Sequence, residues 1–152
     1  MKKQKHNNQV SKIVNRRARF DYELGDSLLV GVVLTGKETK ALRMGHGQLR
    51  GAFVTTKDGE LWLVNASIHS TNTFIISEAE QTRSRKLLAK RKEIKALLSA
   101  KEQGRTIVPL EFLTGGRHIK LRIAVGKGKK AYDKRQSIKE RDQKRDTERS
   151  TR

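Results

Sequence analysis

The sequence predicts a mainly β domain in which five or six short strands and three helices surround one small core, followed by a basic tail. Apolar residues make up only 34% of the 152 residues and concentrate in the middle of the chain, so one modest core is expected. Several short apolar runs are bounded by turn residues, which is typical of strands. Many short strands around a small core favour a closed or nearly closed barrel, with an α+β sandwich as the alternative.

The domain is predicted to begin with a short helix and a strand. Residues 15–22 can form a helical turn with Asn15 as its N-cap. Residues 26–34 are almost continuously apolar and predict a strand. Gly31 lies inside this strand, where a glycine often marks a bend or a bulge.

A second short helix, a hairpin and a further strand are expected next. Thr35 and Glu38 have the spacing of a capping box, which predicts a helix over residues 35–45. Two alternating runs are joined through Asp58–Gly59, a strong signal for a β-hairpin. The apolar residues of 73–77 predict another strand.

The longest helix of the domain is predicted over residues 85–103. Ser84 can cap its N-terminus, and Gly104 has the position of a C-terminal glycine. Its apolar residues fall on one face, which can dock on a sheet. These residues are Leu87, Leu88, Ile94, Leu97 and Leu98.

Two more strands complete the domain, over residues 105–113 and 117–126. Pro109 favours an edge or a bulge in the first of them, because proline has no amide hydrogen to donate. The expected order is therefore short helix, strand, short helix, hairpin, strand, long helix and hairpin.

The charge of the chain indicates a polyanionic partner. The net charge is +19, and both ends contribute: residues 1–19 hold seven basic and no acidic residues, and 127–152 hold eleven and five. Such self-repulsion favours binding to RNA or DNA, with anionic lipid as the weaker candidate. No apolar run is long enough for a membrane span. The absence of cysteine excludes disulfides and zinc-finger sites, and fits a cytosolic address.

Basic residues at three places predict the surface that contacts phosphates. One group lies at the expected start of the long helix, where free N–H groups also favour phosphate. Another alternates along the last strand, and the third lies in the glycine-rich loop after it. These residues are Arg83, Arg85 and Lys86; Lys120 and Arg122; and Lys127, Lys129 and Lys130.

The C-terminal segment is predicted to be disordered when free and helical when laid along RNA. Glu140–Lys144 and Glu148–Arg152 are spaced as stabilising i,i+4 pairs. The segment has no apolar face, so an isolated helix of this length is marginal in water. The chain thus divides into a flexible basic arm (1–14), an RNA-binding domain (15–131) and a tail (132–152).

No arrangement of residues indicates an enzyme, a metal site or a cofactor. The four histidines are scattered and lack the spacing of a metal-binding motif. The glycine-rich stretch 126–130 does not fit the Walker pattern for nucleotide phosphates.

Four motifs, in order, resemble the small protein B (SmpB) family, the tmRNA-binding proteins of bacterial trans-translation. The resemblance runs from Asn15 to about Arg145. Its motifs are "NRRARFDY" (15–22), "GVVLTGKETKALR" (31–43), "TRSRKLL" (82–88) followed by "EI" (93–94), and "VGKGKKAYDKR" (125–135) followed by "IKERD" and "KR".

The resemblance implies an OB-like antiparallel β-barrel that binds the tRNA-like domain of tmRNA. In this family the RNA supplies the acceptor arm and the protein replaces the anticodon side of a tRNA. The tail would then enter the empty mRNA channel of a stalled small subunit, next to the decoding centre. The expected protein is a cytoplasmic monomer without a cofactor.

The resemblance places Leu88 and Lys120 on the tmRNA face and gives the tail residues their role, which together with the basic residues described above completes the predicted contact sets. The residues expected on the tmRNA face are Asn15, Arg19, Arg83, Arg85, Lys86, Leu88, Lys120, Arg122, Lys127, Lys129 and Lys130. The residues of the tail expected to contact the ribosome are Tyr132, Asp133, Lys134, Arg135, Ile138, Lys139 and Arg141. The chain departs from the family pattern at Leu29, where an acidic residue is common, at Lys90 and over residues 67–81.

The alternative is a basic OB-like ribosomal protein or a general translation factor. Such a protein would co-sediment with empty ribosomal subunits without tmRNA. A nucleic-acid enzyme is a third class, and it would need a cluster of acidic or histidine residues.

Overall fold

The computed structural model describes residues 11–150, except the side chains of residues 131–133, 137 and 150. The described chain has these strands: β1 Lys12–Val14, β2 Tyr22–Val32, β3 Gly47–Gln48, β4 Phe53–Lys57, β5 Glu60–Val64, β6 Ser67–Ile68, β7 Arg85–Leu88, β8 Thr106–Leu113 and β9 Lys120–Gly128. Its helices are α1 Ala18–Asp21, α2 Gly36–Arg43, α3 Glu78–Gln81, α4 Arg91–Glu102 and α5 Ala131–Ser150.

Seven strands form one antiparallel sheet in the order β1-β8-β4-β5-β7-β2-β9. Strands β8 and β9 also pair with each other from Thr106↔Gly126 to Leu113↔Lys120. Among the described strands, this extra pairing joins β8, β4, β5, β7, β2 and β9 into a continuous ring. The prediction of a mainly β domain is confirmed.

The N-terminal boundary of the domain differs from the prediction. Residues 1–10 of the expected flexible arm lie outside the described residues. The last residues of the arm form β1, which pairs with β8 through Lys12↔Leu113 and Val14↔Glu111. The folded domain therefore begins at least three residues before Asn15.

Strand β2 is bent at a different place from the one predicted. Its register against β9 shifts between Leu24 and Ser27, so the prediction of a bulge at Gly31 is wrong. Gly31 instead allows a close approach of β7, because a Cβ at this position would lie 3.2 Å from the Cβ of Leu88. The predicted irregularity at Pro109 is confirmed by a register shift between Pro109 and Glu111.

The predicted hairpin is confirmed, because β4 and β5 pair around Asp58 and Gly59. Both turn residues have positive φ, 52° and 75°, which is the backbone that the Asp-Gly sequence favours. The strand predicted over 73–77 is wrong. The Ser70 hydroxyl accepts from the amide of Ile76 at 2.9 Å, and Thr71 accepts from Phe74 at 2.9 Å. The amide groups of Phe74 and Ile76 thus donate to side-chain hydroxyls and not to the carbonyl oxygens of a neighbouring strand.

The capping box of α2 is confirmed: the Thr35 hydroxyl accepts from the amide of Glu38, whose carboxylate accepts from the amide of Thr35 at 3.0 Å. The prediction for the long helix is wrong at its start. Residues 85–88 form β7 between β5 and β2, and the helix α4 begins only at Arg91.

Side chains from the inside of the ring form one continuous apolar core. Its fully buried members include Leu61 and Leu63 from β5, Phe112 from β8, and Leu121 and Ile123 from β9. Helix α2 adds buried Ala41 and Leu42, and α4 adds Leu97. None of the described helices is long and apolar enough to cross a membrane.

Candidate nucleic-acid interface

Strands β7, β2 and β9 bring two of the predicted contact residues to the same level of the sheet. Gly31 in β2 is opposite Leu88 in β7 on one side and opposite Lys120 in β9 on the other. We call the solvent-facing side of these three strands the outer face. Because Gly31 has no side chain, the Leu88 side chain packs closely over β2, and Leu88 and Lys120 flank Gly31 on this face.

The predicted placement of Lys120 and Arg122 on one face is confirmed. Between and after them, Leu121 and Ile123 are fully buried, as expected from the alternation of a strand. The guanidinium Nε of Arg122 donates to Glu111 at 3.1 Å. Arg122 remains partly exposed, so its outer edge can still meet a phosphate.

Apolar side chains lie beside these cations on the outer face. Leu88 is 54% exposed, Val33 45% and Leu29 41%. Leu29 is opposite Arg122 in the β2–β9 register. The outer face therefore combines apolar surface with positive charge. The apolar part suits contact with bases or riboses, and the positive charge suits contact with phosphates.

A groove of about 510 Å³ continues the basic surface around the ring. It is lined by Arg19 from α1, Arg122 from β9 and Lys129 just after β9, together with Tyr22 and one acidic residue, Glu23. Three residues expected to bind RNA, taken from distant parts of the sequence, thus share one groove. Lys127 and Lys130 are exposed at the same end of β9, where the chain enters α5.

The prediction that Arg83, Arg85 and Lys86 lie at a helix N-terminus is wrong, because Arg85 and Lys86 begin strand β7 and Arg83 lies between α3 and this strand. The guanidinium of Arg85 is fully buried and donates to the Glu38 carboxylate. Its other N–H groups donate to backbone oxygens of Ala66, Arg83, Glu80 and Gln81. Arg85 therefore serves the fold and does not reach the surface.

The neighbours of Arg85 differ in their exposure. Arg83 is partly exposed and also donates to the Glu38 carboxylate. Lys86 is on the outside of β7, with its ammonium 2.9 Å from a Glu60 carboxylate oxygen. Lys86 and Arg83 are therefore exposed to a similar extent, 39% and 34% of their side chains, and each is paired with a carboxylate.

Glu38 joins helix α2 to the segment around β7. Burial would raise the pKa of its carboxyl, but hydrogen bonds from Arg83, the Thr35 amide and Arg85 outweigh burial and hold this pKa below its usual value. Burial in turn lowers the pKa of Arg85, against the opposing effect of Glu38. From the sequence, Glu38 is predicted only to cap α2, because both arginines lie more than forty residues away along the chain.

Asn15 has a structural position as well. Its side-chain amide donates to the carbonyl oxygen of Pro109 at 2.9 Å, and its backbone amide donates to Leu110 at 2.7 Å. The side chain is 8% exposed, so it is not presented to a ligand. Asn15 thus ties the turn between β1 and α1 to β8.

The tail residues extend away from the ring in helix α5. Lys134 contacts α1: its ammonium is 3.4 Å from the Asp21 carboxylate and 5.8 Å from the centre of the Phe20 ring. Arg135, Ile138, Lys139 and Arg141 are exposed. The side chains of Tyr132 and Asp133 lie outside the described residues. The expected loss of helix in the free protein stays a prediction.

No group of three or more histidine, cysteine, aspartate or glutamate side chains is arranged to hold a metal ion in the part of the chain that the structure describes. Two surfaces described above carry exposed or partly exposed basic side chains: the groove lined by Arg19, Arg122 and Lys129, and the outer face. Both offer donors and positive charge to an extended anion.

Comparison with known proteins gives concordant matches over most of the chain. Residues 12–152 match the family model "SmpB protein". An SsrA-binding protein from Synechococcus sp. (strain JA-3-3Ab) is 43% identical over 140 residues, 90% of each chain. One from Paracoccus denitrificans is 44% identical over 137 residues, 89% of this chain and 88% of that one.

The fold also matches a solved structure, described as "tmRNA-SmpB: a journey to the center of the bacterial ribosome". The TM-score is 0.67 with 36% sequence identity, over 80% of this chain and 87% of the other.

Proposed function

Because this chain belongs to the SmpB protein family, we propose that it binds the tRNA-like domain of tmRNA and delivers tmRNA to stalled ribosomes. The role is that of an RNA-binding rescue factor in the cytoplasm and requires no catalytic group. We interpret the closed ring of six strands as an OB-like barrel, the architecture that the family resemblance implies.

One observation supports the assignment of the tmRNA face most strongly. Exposed Leu88 and Lys120 lie on either side of Gly31 at one level of the sheet. RNA recognition of this kind uses backbone contacts and shape, together with bases that meet an apolar surface. Leu88 and its apolar neighbours supply that surface, and Lys120, Arg122 and Lys86 supply the charge.

The basic groove extends the proposed contact toward the tail. The groove is lined by Arg19, Arg122 and Lys129. At the C-terminal end of β9 lie two further exposed lysines, Lys127 and Lys130. Asn15 and Arg85 leave the proposed contact set because their side chains are buried. They support the surface from within.

The tail has a separate role in the proposal. It enters the vacant mRNA channel of the small subunit, where RNA walls neutralise its charge and stabilise its helix. Lys134, Arg135, Lys139 and Arg141 contact phosphates, with Tyr132 and Asp133 at the hinge near the decoding centre. The protein thereby takes the place of the anticodon side of a tRNA and reports that no message lies downstream.

A gel-shift titration at physiological salt tests the proposal. The full chain should bind the tRNA-like domain of tmRNA more tightly than an unrelated RNA hairpin of equal length. The double variant Lys120→Ala, Arg122→Ala should lose this preference, whereas Lys101→Ala, an exposed lysine near the end of α4, should retain it. Equal affinity of the full chain for both RNAs would refute the proposal. Co-sedimentation with empty subunits without tmRNA would instead favour a general translation factor.

A further inference from the structure

The first turn of α5 rests on a small polar and aromatic site on α1. The ammonium of Lys134 is 3.4 Å from Oδ1 of Asp21. The same ammonium lies 5.8 Å from the centre of the Phe20 ring, within range of a cation–π contact. We call Phe20 and Asp21 the tail seat.

Other groups hold the tail seat in place. The guanidinium of Arg17 stacks over the Phe20 ring at 4.9 Å and approaches Oδ1 of Asp21 at 3.5 Å. The backbone oxygen of Asp21 accepts from the amide of Lys129 at 2.9 Å. The seat is thus fixed on one side by α1 itself and on the other by the end of β9, immediately before α5 begins.

Few other contacts determine the direction in which the tail leaves the domain. From Arg135 onward, most described side chains of α5 are exposed, and a helix without an apolar face cannot dock through burial. Among the described elements, α1 is the one against which α5 packs at several positions. We propose that Phe20 and Asp21 are positioning residues that set the exit direction of the tail by holding Lys134.

The chemistry of the seat makes the hold reversible. Asp21 and Lys134 are partly exposed, and an exposed ion pair is weak and screened by salt. If a ribosomal phosphate approaches Lys134, as the proposed function requires, two anions compete for one ammonium. Repulsion between the phosphate and Asp21 then favours release of Lys134 from the seat.

A distance measurement in the free protein tests the seat directly. The chain contains no cysteine, so cysteines introduced at Lys57 and Gln136 can be spin-labelled specifically. The unmodified seat should give a narrow distance distribution by pulsed electron paramagnetic resonance, because it holds the first turn of α5 in place even when the tail beyond that turn is disordered. Asp21→Asn and Lys134→Met should each broaden it, and the double variant should be no broader than either, because both remove the same contact.

The control is Asp26→Asn, which makes the same charge change at an exposed carboxylate for which no ion pair is found among the described residues. It should leave the distribution narrow. Broadening by Asp21→Asn alone, with Lys134→Met unchanged, would mean that Asp21 only supports α1, and the inference would be overturned. An unchanged distribution in both variants would overturn it equally.

A tagging assay on stalled ribosomes tests the consequence, which rests on the proposed function. Asp21→Asn should reduce tagging severalfold while binding of the tRNA-like domain stays equal to that of the unsubstituted chain. Tagging equal to that of the unsubstituted chain would show that the seat does not position the tail on the ribosome. If the unsubstituted chain itself fails to bind tmRNA, the proposed function fails, while the spectroscopic result still decides the existence of the seat.

Discussion

The ring of strands and the C-terminal tail are both basic, yet different forces hold them. The ring surrounds buried side chains such as Phe112 and Leu121 and contains a fully buried Arg85–Glu38 pair. The tail has a helix with few contacts to the domain beyond Lys134 and α1. The cations of the ring are therefore presented by a surface that exists before RNA arrives.

The difference separates two ways of displaying positive charge. On the ring, strand register fixes the spacing of Leu88, Lys120 and Arg122, so the surface can select a shape. On the tail, sequence spacing provides cations at intervals, but their arrangement in space depends on a helix that is weak in water. A preformed surface suits recognition of a folded RNA, whereas an adaptable segment suits detection of an empty channel.

Breaking the buried ion cluster should affect the ring most strongly. Glu38→Ala leaves the buried Arg85 with its backbone hydrogen bonds but without a counter-charge, which should lower the free energy of unfolding by about 3–5 kcal/mol. Glu93→Ala is a matched control, because Glu93 accepts from the amide of Lys90 at the corresponding position of α4 but is only partly buried there. Urea denaturation of both variants measures the difference. Equal destabilisation would show that the cluster adds nothing beyond helix capping.

The pH dependence of stability should come from the same carboxyl. Although burial raises the pKa of Glu38, hydrogen bonds from Arg83, the Thr35 amide and Arg85 hold this pKa below the ordinary 4.5 of a glutamate, so the folded state favours the ionised form. Its stabilisation is complete above the unfolded pKa and is lost as pH falls through the folded pKa. The stability difference between the unsubstituted chain and Glu38→Gln should therefore be constant from neutral pH to about pH 5 and shrink below pH 4.5. A difference that grows in acid would contradict this assignment.

Removing one cation from the outer face should have an intermediate effect. Lys120→Ala should weaken binding of the tRNA-like domain and reduce the slope of log affinity against log salt by about one. Titrations at several salt concentrations measure this slope, with Lys101→Ala as the control. An unchanged slope would mean that Lys120 does not contact a phosphate.

A change within the tail should have the smallest effect. Glu140 and Lys144 have the i,i+4 spacing of an ion pair, which contributes about 0.2–0.5 kcal/mol to a helix. Glu140→Ala should reduce the helical circular dichroism of the tail slightly, measured as the full chain minus a chain that ends at Ala131. A small tail signal in the free protein would support the prediction that the tail is disordered before it binds. A large, salt-independent signal would contradict it.

Features with a local cause could be predicted from the sequence. The Asp58–Gly59 hairpin follows from a turn that two residues specify, and the Thr35–Glu38 capping box follows from a spacing of three. The alternation of Lys120 and Arg122 is likewise a property of one strand.

Features that depend on distant neighbours could not be predicted in this way. Leu87 and Leu88 fit a helical stripe, but pairing of β7 with β5 and β2 makes the segment a strand. The burial of Arg85 depends on Glu38, which lies 47 positions away. The contact between Asp21 and Lys134 joins two segments that only the folded ring brings together.

Deleting the tail after Ala131 tests the central claim that the ring selects the RNA and the tail reports the vacant channel. Affinity for the tRNA-like domain and tagging on stalled ribosomes should be measured on the same truncated chain. The account predicts affinity within about twofold of the full chain, a free-energy change of only about 0.4 kcal/mol, and no tagging. Loss of both activities, or retention of both, would contradict the separation of roles.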